Sequence, residues 1–174
     1  MDIAQRLEAN YFAYIRSMAL EHGVEEGLEW VYTGVGLQNR VFNATLKPKS
    51  LDAQILSAMQ RFARWDVPMN WDLSTSSLPD HLGHELERFG FNHRLSLAGM
   101  ALELPHLQPQ PHRPELFILP VDRTNLGVWA KVVGMANAYP KTRIGLFQMV
   151  YERTLDQPQW QHFLVGLGQE ILGA

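Results

Sequence analysis

Three observations on this 174-residue chain predict an α/β (α+β) fold. Stretches with apolar residues every three to four positions alternate with short runs rich in β-branched and aromatic residues. Glycine, proline, serine and aspartate stand where one kind of stretch gives way to the other. Apolar residues make up 46% of the chain. A chain of this size buries roughly 70% of the surface its unfolded form exposes. The length allows one large domain, or one domain plus part of a second.

Asp2 to His22 reads as an amphipathic helix. Asp2 can cap it, with Gln5 three residues on. Ile3, Leu7, Tyr11, Tyr14, Ile15 and Met18 share one face, and Gly23 is a natural stop. Leu28 to Thr33 and Arg40 to Leu46 read as strands, joined through GVGLQN, Gly34 to Asn39. Ser50 then caps a helix from Leu51 to Trp65, whose stripe is Leu51, Ile55, Met59 and Phe62. Pro68 blocks further helix, so Met69 to Ser74 is expected as a strand. Ser77 and Asp80 form a capping box, with Pro79 in the first turn of a third helix. Leu78, Leu82, Leu86 and Phe89 are its buried stripe, and Gly90 ends it. Phe91 to Leu104 is expected as one long strand or a strand pair.

PHLQPQPHRPE, residues 105–115, holds four prolines in eleven residues. Such a stretch is stiff, extended and aperiodic. It divides the chain into a domain at 1–105, a linker at 106–115 and a second part at 116–174. That part opens with a strand from Leu116 to Val121. A helix over about Arg123 to Asn137 follows, with Leu126, Trp129, Ala130 and Val133 inward. Tyr139 and Pro140 break it. A further helix starts at Thr142, with Ile144, Phe147, Tyr151 and Leu155 as its stripe. Gln161 to Leu167, a turn at Gly168 and Gln169, and Glu170 to Ala174 make a hairpin signature.

Composition excludes several functions. The net charge is −3 and no basic cluster occurs, which argues against nucleic acid and anionic membranes as partners. Cysteine is absent, so disulfides, thiolate catalysis and Cys-ligated zinc are excluded. The N-terminus lacks a signal-peptide core, and no apolar run approaches the ~20 residues needed to span a bilayer. A cytoplasmic location fits.

GVGLQN lacks the third glycine of a phosphate loop and precedes a strand, so it reads as a hairpin turn. His81, His84 and Glu85 share a helical face, but no third ligand stands nearby and the face reads as solvated. No metal site is expected. No Gly-x-Ser-x-Gly elbow occurs.

PMNWDLSTSSLPDHLGHELERFGFNHRLSLAGMALEL resembles the closing strand, helix and hairpin of the GCN5-related N-acetyltransferases. The resemblance rests on Leu86, Gly90, Phe91, Met100 and Leu102. FILPVDRTNLGVWAKVV and FLVGLGQEILGA resemble the opening of such a domain: a strand with Pro-Val, two helices, then a hairpin. The resemblance implies a GNAT-like fold, a mixed and mainly antiparallel sheet with helices on both faces. It implies the front portion of a tandem or extended acetyltransferase, with a degenerate first copy and a second copy cut short.

The family moves an acetyl group from acetyl-CoA to a small-molecule or peptide amine. It holds the cofactor's pyrophosphate on backbone N–H groups of an Arg/Gln-x-x-Gly-x-Gly/Ala loop that leads from a strand into a helix. That spacing is absent. Arg143 to Gly145 is one residue too short and Gln169 to Gly173 one too long. The full-length family member would use acetyl-CoA; this chain alone is expected to bind none. No catalytic residue can be assigned. By the family's architecture Asn39, Asn43, Trp71 and Ser74 border the central cleft, though each also suits ordinary core or turn roles. Tyr139 and Arg143 are implied as acceptor-site lining, though a proline-induced loop explains them equally. The apolar edge at Ile171 and Leu172 suits pairing between two chains, and it favours a fragment over a whole protein. A non-catalytic ligand-binding or dimerisation module is the alternative.

Overall fold

The computed structural model of the chain describes residues 2–101, 108, 113 and 115–174. The chain divides into two compact units, Met1–Leu102 and Glu103–Ala174. The architecture is mixed α and β, with one sheet in each unit. The expected linker at 106–115 lies, apart from residues 108, 113 and 115, outside the described residues.

The first unit begins with α1 (Ile3–Ser17), started by the capping box of Asp2 and Gln5. β1 (Glu21–Glu25) and β2 (Leu28–Tyr32) form a hairpin whose turn, Glu26 and Gly27, has φ of 30° and 88°. Two left-handed residues give the twist that a two-residue hairpin needs. β3 (Arg40–Phe42) pairs antiparallel with β2. α2 (Leu51–Ala63) crosses over to β4 (Asn70–Trp71), which lies parallel to β3. The sheet order is β1-β2-β3-β4, and α3 (Leu82–Arg88) closes the regular structure of this unit.

Strand alternation splits the core in two. Leu28, Trp30 and Val41 pack with Leu51, Ile55, Ala58 and Phe62 of α2 and with Leu82 and Leu86 of α3. Val31 and Phe42, on the opposite face, pack with Phe12 and Ile15 of α1. Helices therefore cover both faces of this sheet.

Gly23 lies across the ladder from Trp30, and a Cβ there would sit 2.5 Å from the indole. The same device recurs in the second unit. Gly166 lies opposite Phe117, whose ring would be 2.1 Å from an added Cβ. In each sheet an aromatic ring folds over a glycine and covers the backbone that glycine leaves bare.

Several expected boundaries move, each for a tertiary reason. The first helix stops at Ser17, not His22, because the Leu20 N–H donates to the Tyr32 carbonyl and the chain joins the sheet. Gly23 is thus a strand residue, not a helix stop. β3 ends early, since Asn43 has φ of 50° and the Thr45 N–H turns to the Gly27 carbonyl. Ser50 does not cap α2; its hydroxyl donates to Gln54 Oε1. Ser77 does not cap α3 either. Leu78 donates to the Ala44 carbonyl and accepts from the Leu46 N–H in a parallel bridge, so helix cannot start before that bridge is left. Gly90, with φ of 89°, does end α3. Residues 91–101 form no strand. Leu97 is 77% and Met100 88% exposed, and apolar alternation without a hydrogen-bonded neighbour does not make a sheet. Leu102 and Leu104 lie outside the described residues.

The second unit runs β5 (Leu116–Pro120), α4 (Leu126–Ala136), α5 (Lys141–Glu152), β6 (Phe163–Leu167) and β7 (Glu170–Gly173). Its sheet is antiparallel throughout, in the order β5-β6-β7. α4 starts later than expected because Asp122 Oδ1 accepts from the N–H groups of Thr124 and Asn125 in a tight side-chain turn. Leu126, Trp129, Ala130, Phe147, Val150, Tyr151 and Leu164 are buried.

Gly23→Ala should destabilise the first unit by about 1–3 kcal/mol, the range for overpacking a filled site. Chemical denaturation reads it as a lower midpoint. Gly145→Ala, in α5 where an added methyl meets nothing within 4 Å, should instead stabilise by up to about 1 kcal/mol. Shifts of equal sign and size would contradict this packing account.

Candidate functional site

The alternation of LEWVY puts Glu29 on the same face of β2 as Val31, beneath α1. Only 7% of Glu29 is exposed. A carboxylate so placed requires donors, and it has four. Arg16 in the last turn of α1 grips it with Nε at 2.7 Å and Nη2 at 2.6 Å, one to each oxygen. His22 Nε2 on β1 is 2.9 Å from Oε2. Asn43 Nδ2, held by its left-handed backbone, donates to Oε1 at 2.7 Å. Burial would raise the carboxyl pKa, but the donors from Arg16, Asn43 and His22 outweigh it and hold Glu29 at about 2. The same hydrogen bonds raise the Arg16 pKa against its own desolvation.

A second carboxylate lies along the same helix. Asp72, just after β4, accepts from Arg40 Nη1 at 2.8 and 2.9 Å and from the Tyr11 hydroxyl at 2.9 Å. Burial, then the charge of Asp72, raises the Tyr11 pKa and keeps the phenol protonated. One turn earlier, Glu8 accepts from the Ser76 hydroxyl at 2.8 Å and its N–H at 3.2 Å. Burial pushes Glu8 up, yet the serine donors leave it below the ordinary carboxylate range. Glu8, Tyr11 and Arg16 therefore stitch α1 to the sheet along one seam.

Chemically, the seam offers a histidine oriented by a buried carboxylate. His22 is one-third exposed at its side chain, and its ring stacks on Phe42 at 6.5 Å. Its Nδ1 makes no hydrogen bond among the described residues. Of the seam's three carboxylates, Glu29 and Asp72 are each matched by an arginine, and Glu8 is held by the hydroxyl and N–H of Ser76.

Of the six residues expected to line a substrate pocket, the four in the first unit are not brought to one place. Asn39 is buried and structural: its Oδ1 accepts from the Thr33 N–H at 2.9 Å and its Nδ2 donates to the Pro68 carbonyl. Asn43 is a donor to Glu29. Trp71 packs on the α2 and α3 side of the sheet, edge-on to Phe91, and its indole N–H has no partner among the described residues. Ser74 is tied to Ser77 by its own N–H, beside the Ser76–Glu8 contact on the α1 side. Trp71 thus lies on the opposite face from Asn43. Tyr139 and Arg143 belong to the second unit, where the guanidinium sits 4.2 Å over the phenol ring.

The seam itself was missed because His22 reads as helix. One signal was present: a charged residue at an inward strand position, Glu29 between Leu28 and Trp30. His81 and His84 are paired with Glu85 and Glu87 on the face of α3. Among the described residues no group of three or more histidines and carboxylates could hold a metal ion. No described helix is long and apolar enough to cross a membrane. No family model matches the chain, and neither does any curated protein or any solved structure.

Glu29→Gln should destabilise the first unit by about 1–2 kcal/mol, since it removes the charge and one acceptor oxygen from the hydrogen bonds of a partly exposed Arg16. The pH dependence has a definite sign. The folded pKa is depressed from 4.5 to about 2, so this stabilisation is complete above pH 4.5 and is lost as pH falls towards 2. Urea denaturation of wild type and Glu29→Gln between pH 7 and 2.5 should show the gap between them closing with acid.

Proposed function

We propose that this chain is the non-catalytic N-terminal portion of a GNAT-type N-acetyltransferase, the class that transfers an acetyl group from acetyl-CoA to an amine. The observation that carries the reading is the order of the second unit: a strand with Pro-Val, two helices, then an antiparallel hairpin returning beside that strand. The first unit supplies strand and helix in the closing order, β4 then α3, though residues 91–101 do not add the hairpin.

The non-catalytic assignment is supported by the strand-to-helix passages among the described residues, which do not form the family's cofactor cradle. Among the described residues three passages lead from a strand into an α-helix: residues 43–50, 72–81 and 121–125. None contains a glycine. In the first, the N–H groups of Thr45, Leu46 and Ser50 already donate to the carbonyls of Gly27, Leu78 and Lys47, and Pro48 has none. A pyrophosphate needs several free, converging N–H groups, and here they are spent.

A second reading, a dimerisation module, is favoured by one surface. β5 and β6 face each other in three cross-strand apolar pairs on their outer side: Leu116 with Leu167, Ile118 with Val165, Pro120 with Phe163. Ile118 is 68% exposed. With the exposed Leu172 on β7, this is a sheet apolar on both sides.

Titration calorimetry of the chain with acetyl-CoA should give no saturable heat, and a coupled assay with amines should show no acetyl transfer. Saturable micromolar binding would overturn the non-catalytic assignment. Sedimentation across a concentration series separates the second reading: a mass that rises with concentration and is returned to monomer by Ile118→Glu supports it, and a constant monomer rules it out.

A further inference from the structure

His162 stands where the second unit's elements meet. Its carbonyl accepts from the Val121 N–H and so ends the β5–β6 ladder. Its ring lies among Trp129 of α4 at 4.6 Å, Tyr151 of α5 at 5.6 Å and Trp160 at 5.2 Å. Its Nε2 is 2.8 Å from Thr154 Oγ1. The buried Thr154 hydroxyl has one proton, and it goes to the Tyr151 carbonyl at 2.7 Å. The threonine oxygen must therefore accept, and Nε2 carries the imidazole's proton. Nδ1 is left bare, with no hydrogen-bond partner among the described residues. A second proton would have to go there, adding a charge to a half-buried ring whose neighbours are aromatic and offer it no acceptor.

We propose that His162 is a pH-sensitive pin of the second unit: neutral, it locks the end of the β5–β6 ladder to α4 and α5; protonated, it loosens that packing while the first unit stays closed. Charged groups on the surrounding elements do not offset the effect. Asp122 and Arg123 follow β5, Lys131 is on α4, Lys141, Arg143 and Glu152 are on α5, and Arg153 and Asp156 lie in the next turn. Asp122 is bound to Thr124, Arg123 pairs with Asp156, and Arg143 covers Tyr139. None is hydrogen-bonded or ion-paired to the imidazole among the described residues. Burial holds the His162 pKa below 6.5. The unfolded chain therefore binds the proton more readily, and the pin's contribution is present above pH 6.5 and lost as pH falls through the folded value. In the first unit Glu29, at about 2, keeps its charge throughout that window.

Hydrogen exchange of the full chain at pH 7.5 and 5.5, corrected for the intrinsic pH dependence of exchange, tests this. Protection in β5, β6 and α4 should fall about threefold or more at pH 5.5, with β2 and β3 unchanged. His162→Gln keeps an N–H donor without the titration, and its protection should not respond to pH. Unchanged protection in wild type, or an equal acid loss in His162→Gln, overturns the proposal. An NMR titration of the His162 ring in wild type stands independently of the variant's folding. A midpoint below 6.5 supports the pin; one at or above 6.5 means the aromatic rings favour the cation and refutes it.

Discussion

A carboxylate placed on the inward face of a strand has to be answered, and the answer at Glu29 organises the first unit. Its donors come from the end of α1, from β1 and from the residue after β3. Three separate segments are thereby set relative to one side chain. Apolar contact between α1 and the sheet, through Phe12, Ile15, Val31 and Phe42, supplies the non-directional attraction. It would tolerate a helix slid by a turn. The forked Arg16–Glu29 contact would not, because a slide leaves a buried charge unpaired. Tyr11 on Asp72 and Glu8 on Ser76 repeat the constraint along the helix, so position and rotation are both specified.

The opposite face of the same sheet is held differently. It packs Trp30, Val41, Ile55, Phe62, Leu82 and Leu86, and its specificity comes from shape. Gly23 under Trp30 is the tightest instance, and Gly166 under Phe117 answers it in the second unit. In both sheets a strand gives up a side chain so that an aromatic neighbour can lie flat across it. The polar seam and the aromatic lids are two routes to one end, a single register for each sheet.

The seam also frames what the chain can do. Arginines neutralise Glu29 and Asp72, Ser76 holds Glu8, Asn43 donates to Glu29, and the passages at 43–50 and 72–81 carry no glycine. Those facts, with the strand and helix order of the second unit, support the proposed non-catalytic acetyltransferase-type portion. In that unit the titratable group of interest is His162, whose neighbours are aromatic.

The sequence by itself determined most of the helices and several of the strands, because periodicity and caps are local. Asp2 with Gln5, the stripe of α2, Gly90 as a stop, the break at Tyr139 and Pro140, and the Gly168 turn are all properties of a few adjacent residues. Only the tertiary structure decided where α1 yields to β1, that Leu78 would bridge to Thr45 before α3 could begin, and that residues 91–101 would stay without a strand partner. Each is settled by a hydrogen-bonding neighbour distant in the chain. The same holds for the site. Asn43, Trp71 and Ser74 looked convergent because they flank neighbouring strands. Pleating sends Trp71 to one face and leaves Asn43 on the other, and pairing Arg16 and His22 with Glu29 requires a fold that no short window contains.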